Sequence, residues 1–202
     1  TIHRFSVPES LFHDLLDAFV QDTRVSRYPT FDALLSYCRR SANPVGRIVL
    51  ALHGVLNDET GPPADALCTG LQLANFWQDI SVDRRMGRVY LPEEDLARHN
   101  LGVQAVLDGE DNHRMRTVVA AQVKRSRSFF ADAIPLFSLV PFRLRLELSA
   151  IWRGGMRILE KIEKGGYTTV SVRPSLTMTD MFAVFSGALL KGTPHARSGY
   201  RR

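Results

Sequence analysis

The chain has 202 residues, a formal net charge of +5 at pH 7, 45% hydrophobic residues and 23% charged residues. This length suits one domain, and this balance of apolar and charged residues excludes an intrinsically disordered protein. The cysteines, Cys38 and Cys68, lie far apart and form no CxxC pair. A disulfide framework and a cysteine-ligated zinc site are therefore excluded as organising features, and a reduced, cytoplasmic setting is the simplest interpretation.

The basic charge of the chain comes almost entirely from arginine, because only four of the 26 basic residues are lysines. Arginine suits the recognition of carboxylates and phosphates, but a GC-rich coding sequence produces the same bias. The arginines do not gather on one helix with interleaved aromatic residues, so we expect no nucleic-acid partner. Composition alone does not identify the partner.

The first part of the chain is predicted to be helical. Pro8 precedes an apolar stripe that predicts the first helix, and Thr30 is a good N-cap for the second. The Asn43-Pro44 pair predicts a break, after which a third helix begins. The run Gly61-Pro62-Pro63 predicts another break. After it, Asp65 is expected to cap a long helix that ends near Asp83.

The second half of the chain is also predicted to be helical. Its expected elements are a short helix at 93–98, a helix from Asn112 to about Ala133, a short piece between Pro135 and Pro141, a long helix from Phe142 to Lys164, and a last helix that starts at Thr177 or Thr179 and ends near Leu190. The run Tyr167–Val172 is β-like but has no second run to pair with. The sequence therefore predicts an all-α fold.

The long helix predicted to end at Asp83 carries polar residues inside its sequence. Asn75, Asp79 and Asp83 are spaced by four, and Gln72 lies three positions before Asn75, so all four share one face. Two carboxylates at this spacing repel each other by roughly a few tenths of a kcal/mol on an isolated helix. Oxygen ligands on one face suit Mg²⁺, whereas the alternative is a solvent-facing polar stripe. The arginines that could meet a phosphate held by the same metal are Arg84, Arg85 and Arg88.

Three segments carry a resemblance to a known family. The run CTGLQLANFWQDISVDRRMGRVYLPEEDL, residues 68–96, strongly resembles the second aspartate-rich region of the squalene/phytoene synthase family, where a Q-x-x-N-x-x-R-D-x-x-x-D helix precedes G-R-x-Y-L-P. Residues 37–46 resemble the family's Y-C-x-x-V-A-G-x-V-G segment, and residues 152–174 resemble its C-terminal helix and turn. The order is kept over residues 8–190. The residues of these motifs are most similar to those of the hopanoid-pathway branch of the family, which is thought to convert presqualene diphosphate to hydroxysqualene.

The resemblance implies a fold, a reaction and a set of residues. The fold is an isoprenoid-synthase-type helical bundle around a central cavity, and the reaction is Mg²⁺-dependent ionisation of an isoprenoid diphosphate followed by capture of the carbocation. Asn75, Asp79 and Asp83 are the implied metal ligands, and both aspartates count as catalytic. The implied substrate-binding residues are Gln72, Asn75, Gln78, Arg88, Tyr90 and Tyr37.

The chain departs from the family pattern at three points. Gln78 stands where the family has an arginine, and Arg40 stands where squalene synthases have a tyrosine associated with the catalytic steps, which makes Arg40 a candidate catalytic residue. The family's first aspartate-rich helix normally lies upstream of residue 1. We therefore expect residues 1–191 to form a partial domain that lacks its N-terminal helices and is inactive by itself, and residues 192–202 to form a basic flexible tail.

Two other functions stay open at this stage. The first is head-to-head condensation of farnesyl or geranylgeranyl diphosphate, and the second is a non-catalytic role as a helical assembly partner. Pathway enzymes are candidate partners. Transient membrane contact through apolar helices or the basic tail would make the protein peripheral at the inner membrane.

Overall fold

The computed structural model describes residues 2–190 and 194. This part of the chain is helical and contains no β-strand, only an isolated bridge between Arg27 and Val89. The helices are α1 (Ser10–Asp22), α2 (Phe31–Ser41), α3 (Asn43–Leu52), α4 (Gly61–Asp83), α5 (Glu93–Arg98), α6 (Val103–Asp108), α7 (His113–Asp132), α8 (Leu136–Leu139), α9 (Phe142–Lys164) and α10 (Met178–Leu190). The predicted all-α fold is confirmed, and the β-like run Tyr167–Val172 forms turns.

Several helices begin where their capping residues predict. The Thr30 hydroxyl accepts a hydrogen bond from the backbone N–H of Ala33 at 3.1 Å, and the Asn112 side chain accepts one from Met115 at 3.0 Å. Each cap satisfies a backbone donor that the first turn of a helix leaves unpaired. These local interactions explain why the starts of α2 and α7 could be predicted from the sequence.

The predicted start of α4 was wrong by four residues, because the helix begins at Gly61 rather than at Asp65. Pro62 and Pro63 lie in its first turn, where a proline removes only an N–H that has no partner within the helix. Asp65 caps nothing. Its carboxylate instead accepts hydrogen bonds from Nε and Nη2 of Arg47 on α3, at 2.9 and 2.7 Å.

The last helix starts directly after Thr177, one of the two predicted positions. The Thr177 hydroxyl accepts from the backbone N–H of Asp180 at 3.3 Å, and the Asp180 carboxylate accepts from the backbone N–H of Thr177 at 2.8 Å. This reciprocal pair satisfies two donors at the helix start. The tail predicted at 192–202 lies outside the described residues except for residue 194, so the division of the chain at residue 191 stays a prediction.

The helix α4 lies at the centre of the described fold. It packs against α3, α7 and α9, and it buries Leu73, Trp77 and Ile80. The Trp77 indole Nε1 donates to the Ser126 hydroxyl on α7 at 2.8 Å, so the polar atom of this buried ring has a partner. No helix within residues 2–190 has the length and apolar character that a membrane span requires.

The close approach of α9 to α4 and α7 depends on Gly155. A β-carbon at this position would lie 2.5 Å from Cζ of Phe130 and 2.8 Å from Cδ2 of Leu71. Such distances are far inside van der Waals contact, so any side chain here would require the Phe130 ring, the Leu71 side chain or the helices themselves to move. The neighbouring Gly154 has nothing within 4 Å of the corresponding position.

These two glycines give a matched pair of substitutions. We expect Gly155→Ala to lower the free energy of unfolding by about 1–3 kcal/mol, because it overpacks the contact between three helices. Gly154→Ala is expected to raise it by roughly 0.5–1 kcal/mol, because alanine favours a helix interior and meets no neighbour. Urea unfolding followed by circular dichroism measures both. Equal effects of the two substitutions would contradict the packing described for Gly155.

Candidate functional site

The polar residues of α4 meet on one exposed side of the helix. The Asn75 side-chain amide donates to Oδ2 of Asp79 at 3.2 Å, as expected for residues four positions apart. Asn75 is exposed and Asp79 and Asp83 are half-buried, while the adjacent Ala74, Phe76 and Trp77 are buried in the core. Gln72 is half-buried one turn earlier. The helix therefore presents amide and carboxylate oxygens on its open side.

An arginine from a distant part of the chain contacts these oxygens. Nε of Arg173 lies 2.6 Å from Oδ1 of Asp79, and Nη2 lies 3.4 Å from Oδ2. Arg173 belongs to the loop between α9 and α10, 94 positions away from Asp79. The sequence analysis did not single it out, because no local spacing links the two residues.

The loop that carries Arg173 is hydrogen-bonded to the second half of α4. The Gln78 amide donates to the Pro174 carbonyl at 2.7 Å, and the backbone N–H of Ser81 donates to the Thr169 carbonyl at 3.0 Å. The side chain of Gln78 therefore holds the loop in this structure, and its role in substrate binding stays a prediction.

Arg84, which the sequence suggested for phosphate contact, also supports this loop. Its Nε donates to the Val170 carbonyl and its Nη1 to the Leu107 carbonyl, both at 3.0 Å. A guanidinium that donates to two backbone carbonyls in this way has a structural role. Arg84 thus ties the segment after α4 to the loop between α9 and α10.

The carboxyl of Asp83 is electrostatically disfavoured in its charged form. Burial raises its pKa to about 6, and the negative charge of Asp79 adds to the effect, while Arg88 and Arg173 partly offset it. The negative charge of Asp83 is therefore unfavourable in this position, first because the side chain is partly buried and second because Asp79 lies near it. Perturbed carboxylates of this kind are common at functional sites.

An aromatic cluster adjoins the carboxylates. The ring of Tyr90 stacks on Phe76 with centroids 3.9 Å apart and an angle of 11° between the planes. The rings of Tyr28 and Tyr37 lie 5.8 and 6.4 Å from Tyr90. Burial and the charge of Asp83 raise the pKa of the Tyr90 hydroxyl, whereas Arg88 acts in the opposite direction. Tyr90 and Arg88 thus lie within electrostatic reach of Asp83, and their predicted role in substrate binding stays a prediction.

The residues predicted on α2 are anchored to the end of α1. The Tyr37 hydroxyl donates to Oδ1 of Asp22 at 2.7 Å, and Nη2 of Arg40 donates to Oε1 of Gln21 at 2.5 Å. Gln21 also donates to the Tyr28 hydroxyl at 3.5 Å. Arg40 therefore reaches the aromatic cluster only through Gln21 and Tyr28, and its predicted catalytic role stays untested.

The donors on α4 fit a Mg²⁺ ion in their chemistry. Asn75, Asp79 and Asp83 offer oxygens, which Mg²⁺ prefers, and the ion pair with Arg173 shows that Asp79 already attracts a cation. Across residues 2–190, no three His, Cys, Asp or Glu side chains come close enough to form a metal site by themselves. An ion bound here would complete its coordination with water or with oxygens of a substrate.

The raised pKa of Asp83 makes stability depend on pH. In the folded protein this carboxyl has a pKa of about 6, against 3.8 for an ordinary aspartate, so its ionisation favours the unfolded state above this range. We expect Asp83→Asn to raise the free energy of unfolding near pH 7.5 by about 1–2 kcal/mol, less than the whole shift represents because solvent reaches the side chain. The difference from the wild type should shrink as the pH falls from about 6 to about 4.

Urea denaturation at a series of pH values, without divalent metal, tests this expectation. Asp132→Asn, at an exposed carboxylate on the last turn of α7, is the control and should change little. An Asp83→Asn variant that is less stable than the wild type at neutral pH would contradict the unfavourable ionisation of Asp83.

Comparison with known proteins shows which family the chain resembles. The family model described as squalene/phytoene synthase matches residues 1–180. Phytoene synthase 1 from Zea mays is 30% identical over 179 residues, which cover 86% of this chain and 44% of that protein. A hydroxysqualene synthase from Rhodopseudomonas palustris is 36% identical over 152 residues, which cover 74% and 52%. The chain spans about half the length of these curated relatives.

Solved structures show the same architecture. The squalene synthase HpnC from Alicyclobacillus acidocaldarius superposes with a TM-score of 0.80 at 38% identity, covering 82% of this chain and 63% of that one. A dehydrosqualene synthase superposes with a TM-score of 0.84 at 20% identity, a likeness that shows the fold alone, and covers 91% and 65%. The described helices therefore have the isoprenoid-synthase-type arrangement that the sequence predicted. With a matching family model over most of its length, the chain belongs to the squalene/phytoene synthase family.

Proposed function

We propose that the protein is a Mg²⁺-dependent enzyme that converts presqualene diphosphate to hydroxysqualene. The oxygen-bearing side of α4, with Asp79 and Asp83 next to the cationic side chains of Arg88 and Arg173, carries the proposal. The choice of reaction is supported by 36% identity to a hydroxysqualene synthase and 38% identity to the squalene synthase HpnC.

The roles of the polar residues follow from their charges. Asn75, Asp79 and Asp83 would hold Mg²⁺, which when bound supplies positive charge that stabilises the departing diphosphate. Arg88 would donate hydrogen bonds to diphosphate oxygens, and so would Arg173 once it releases Asp79. Tyr90, whose hydroxyl keeps its proton at neutral pH, would act there as a further donor. Gln72 and Gln78 would line the same region.

The aromatic cluster suits the second part of the reaction. When the C–O bond to diphosphate breaks, its electron pair leaves with the diphosphate and a carbocation remains. The stacked rings of Phe76, Tyr37 and Tyr90 would form an apolar wall that keeps water away until capture. Water then adds to the cation and loses a proton, which gives the alcohol. Arg40, held by Gln21, would act by positioning this cluster.

A second reaction is favoured by a separate observation. The match to phytoene synthase 1 covers 86% of the chain, more than the 74% covered by the match to the hydroxysqualene synthase. The alternative is therefore head-to-head condensation of two isoprenoid diphosphates. The same carboxylates and arginines would bind the diphosphate in either reaction, so the product distinguishes them.

Product analysis tests the proposal. The protein, expressed with any residues that flank the 202-residue chain, is incubated with presqualene diphosphate and Mg²⁺, and the products are identified by gas chromatography and mass spectrometry. We expect hydroxysqualene. Asp79→Asn should lower kcat at least about a hundredfold without unfolding the protein, because it removes a charged metal ligand and so weakens the positive charge held at the leaving group. Asp132→Asn should keep the activity.

The other outcomes are equally informative. Presqualene diphosphate formed from farnesyl diphosphate, or phytoene formed from geranylgeranyl diphosphate, would favour the condensing enzyme. If none of these substrates reacted, the enzyme assignment would fail and a non-catalytic assembly partner would be favoured.

The ion pair between Arg173 and Asp79 predicts competition with the metal. Without diphosphate, Mg²⁺ has to displace the guanidinium from Asp79, so Arg173→Gln should tighten Mg²⁺ binding roughly two- to fivefold, the range expected from removal of one exposed ion pair. Isothermal titration calorimetry measures the affinity. Arg116→Gln, which breaks the ion pair with Asp111, is the matched control and should leave it unchanged. Equal or weaker binding by the Arg173 variant would show that Arg173 does not restrain Asp79.

A further inference from the structure

Two neighbouring residues of α4 bind two neighbouring residues of the loop between α9 and α10. The Gln78 amide donates to the Pro174 carbonyl at 2.7 Å. The Asp79 carboxylate pairs with the Arg173 guanidinium, whose Nε lies 2.6 Å from Oδ1. Because both bonds join consecutive positions of both segments, the loop backbone is fixed directly beside the arginine. Gln78 is therefore the anchor on α4 that lies nearest to Arg173 along the chain.

Other contacts with α4 and the segment after it hold an earlier part of this loop. The Thr169 carbonyl accepts from a backbone N–H of α4, and the Val170 carbonyl accepts from Nε of Arg84, both at 3.0 Å. Within residues 2–190, the bond from Gln78 is the one hydrogen bond made by the backbone of residues 173–176. Loss of this bond would free the backbone around the arginine while the earlier part of the loop stays attached.

An exposed arginine depends on its backbone for a fixed position. The Arg173 side chain is 47% exposed and the Asp79 side chain is 20% exposed, so water competes for their ion pair. Exposed ion pairs add little free energy, because holding a long side chain in one geometry costs conformational entropy. When a hydrogen bond already fixes the backbone, less entropy remains to be lost, and the guanidinium stays near Asp79 for more of the time.

We propose that Gln78 is a positioning residue for Arg173. Its amide fixes the backbone at Pro174, so that the guanidinium stays at Asp79 without ligand and stands beside the diphosphate when one binds. In this role Gln78 acts through Arg173 and contacts neither the metal nor the diphosphate. The role rests on the function proposed above, because it requires Mg²⁺ and a diphosphate to bind next to Asp79.

Two ligand affinities distinguish this role from the alternatives. The probes are Mg²⁺ alone and inorganic pyrophosphate at saturating Mg²⁺, each titrated by isothermal calorimetry into the protein expressed with any flanking residues. Positioning predicts opposite signs for Gln78→Leu. Mg²⁺ should bind roughly twofold tighter, because the guanidinium restrains Asp79 less. Pyrophosphate should bind roughly three- to tenfold more weakly, because the arginine that donates to it is less well placed.

The same substitution in the Arg173→Gln background shows whether Gln78 acts through the arginine. If it does, Gln78→Leu should change neither affinity in that background. A direct contact between Gln78 and pyrophosphate would weaken pyrophosphate binding in both backgrounds and leave Mg²⁺ binding unchanged. A purely structural role would weaken both affinities and lower the melting temperature. Either of these two patterns would overturn the proposal.

Gln104→Leu on α6 is the matched control. The Gln104 amide donates to Oδ1 of Asp108 at 2.8 Å, a bond of similar length away from the carboxylates of α4, so its loss should change neither affinity. If the wild type does not bind pyrophosphate even with Mg²⁺, the diphosphate site of the proposed function fails, and the role of Gln78 fails with it. If the wild type binds it, but Gln78→Leu brings no gain in Mg²⁺ affinity or no loss of pyrophosphate affinity, only the role of Gln78 fails.

Discussion

The packing of α4 is the constraint on which the rest of the described structure depends. Three helices, α3, α7 and α9, press against it, and Gly155 allows α9 to approach closely enough for Leu71 and Phe130 to fill the contact. The buried indole of Trp77 is tied to Ser126. With these sides occupied, the open side of α4 presents Asn75 and Asp79 on a rigid support. A functional group placed on a packed helix keeps its geometry better than one on a loop.

The same arrangement concentrates negative charge. Asp83 is half-buried near Asp79, and burial together with the charge of Asp79 raises the pKa of Asp83, so its ionisation opposes folding. Arg173 partly neutralises the pair, and its loop is held by Gln78 at one point and leads into α10 at Thr177. Carboxylates held in such an unfavourable position are common at functional sites, which is consistent with the proposed metal site.

Much of the fold could be predicted because its signals are local. Hydrogen bonds that capping residues such as Thr30 and Asn112 accept act within one turn, and the apolar spacing and the glycines after it define the helix from Phe142 to Lys164. The contact between Asn75 and Asp79 followed from their spacing alone. Where a local signal is ambiguous the prediction failed: a proline run such as 62–63 can end a helix or begin one, and here it begins α4.

The sequence by itself thus determined the helical class, most helix boundaries, the polar side of α4 and the family. Helical periodicity, capping and motif order depend only on residues that are near each other in the sequence. Only the tertiary structure decided that Arg173 pairs with Asp79, that Tyr28 and Tyr37 gather around Tyr90, and that Arg84 supports a loop. It also decided which side of α10 faces outward. These contacts join residues up to 94 positions apart, and such distant neighbours are set by how the helices pack, which no local pattern encodes.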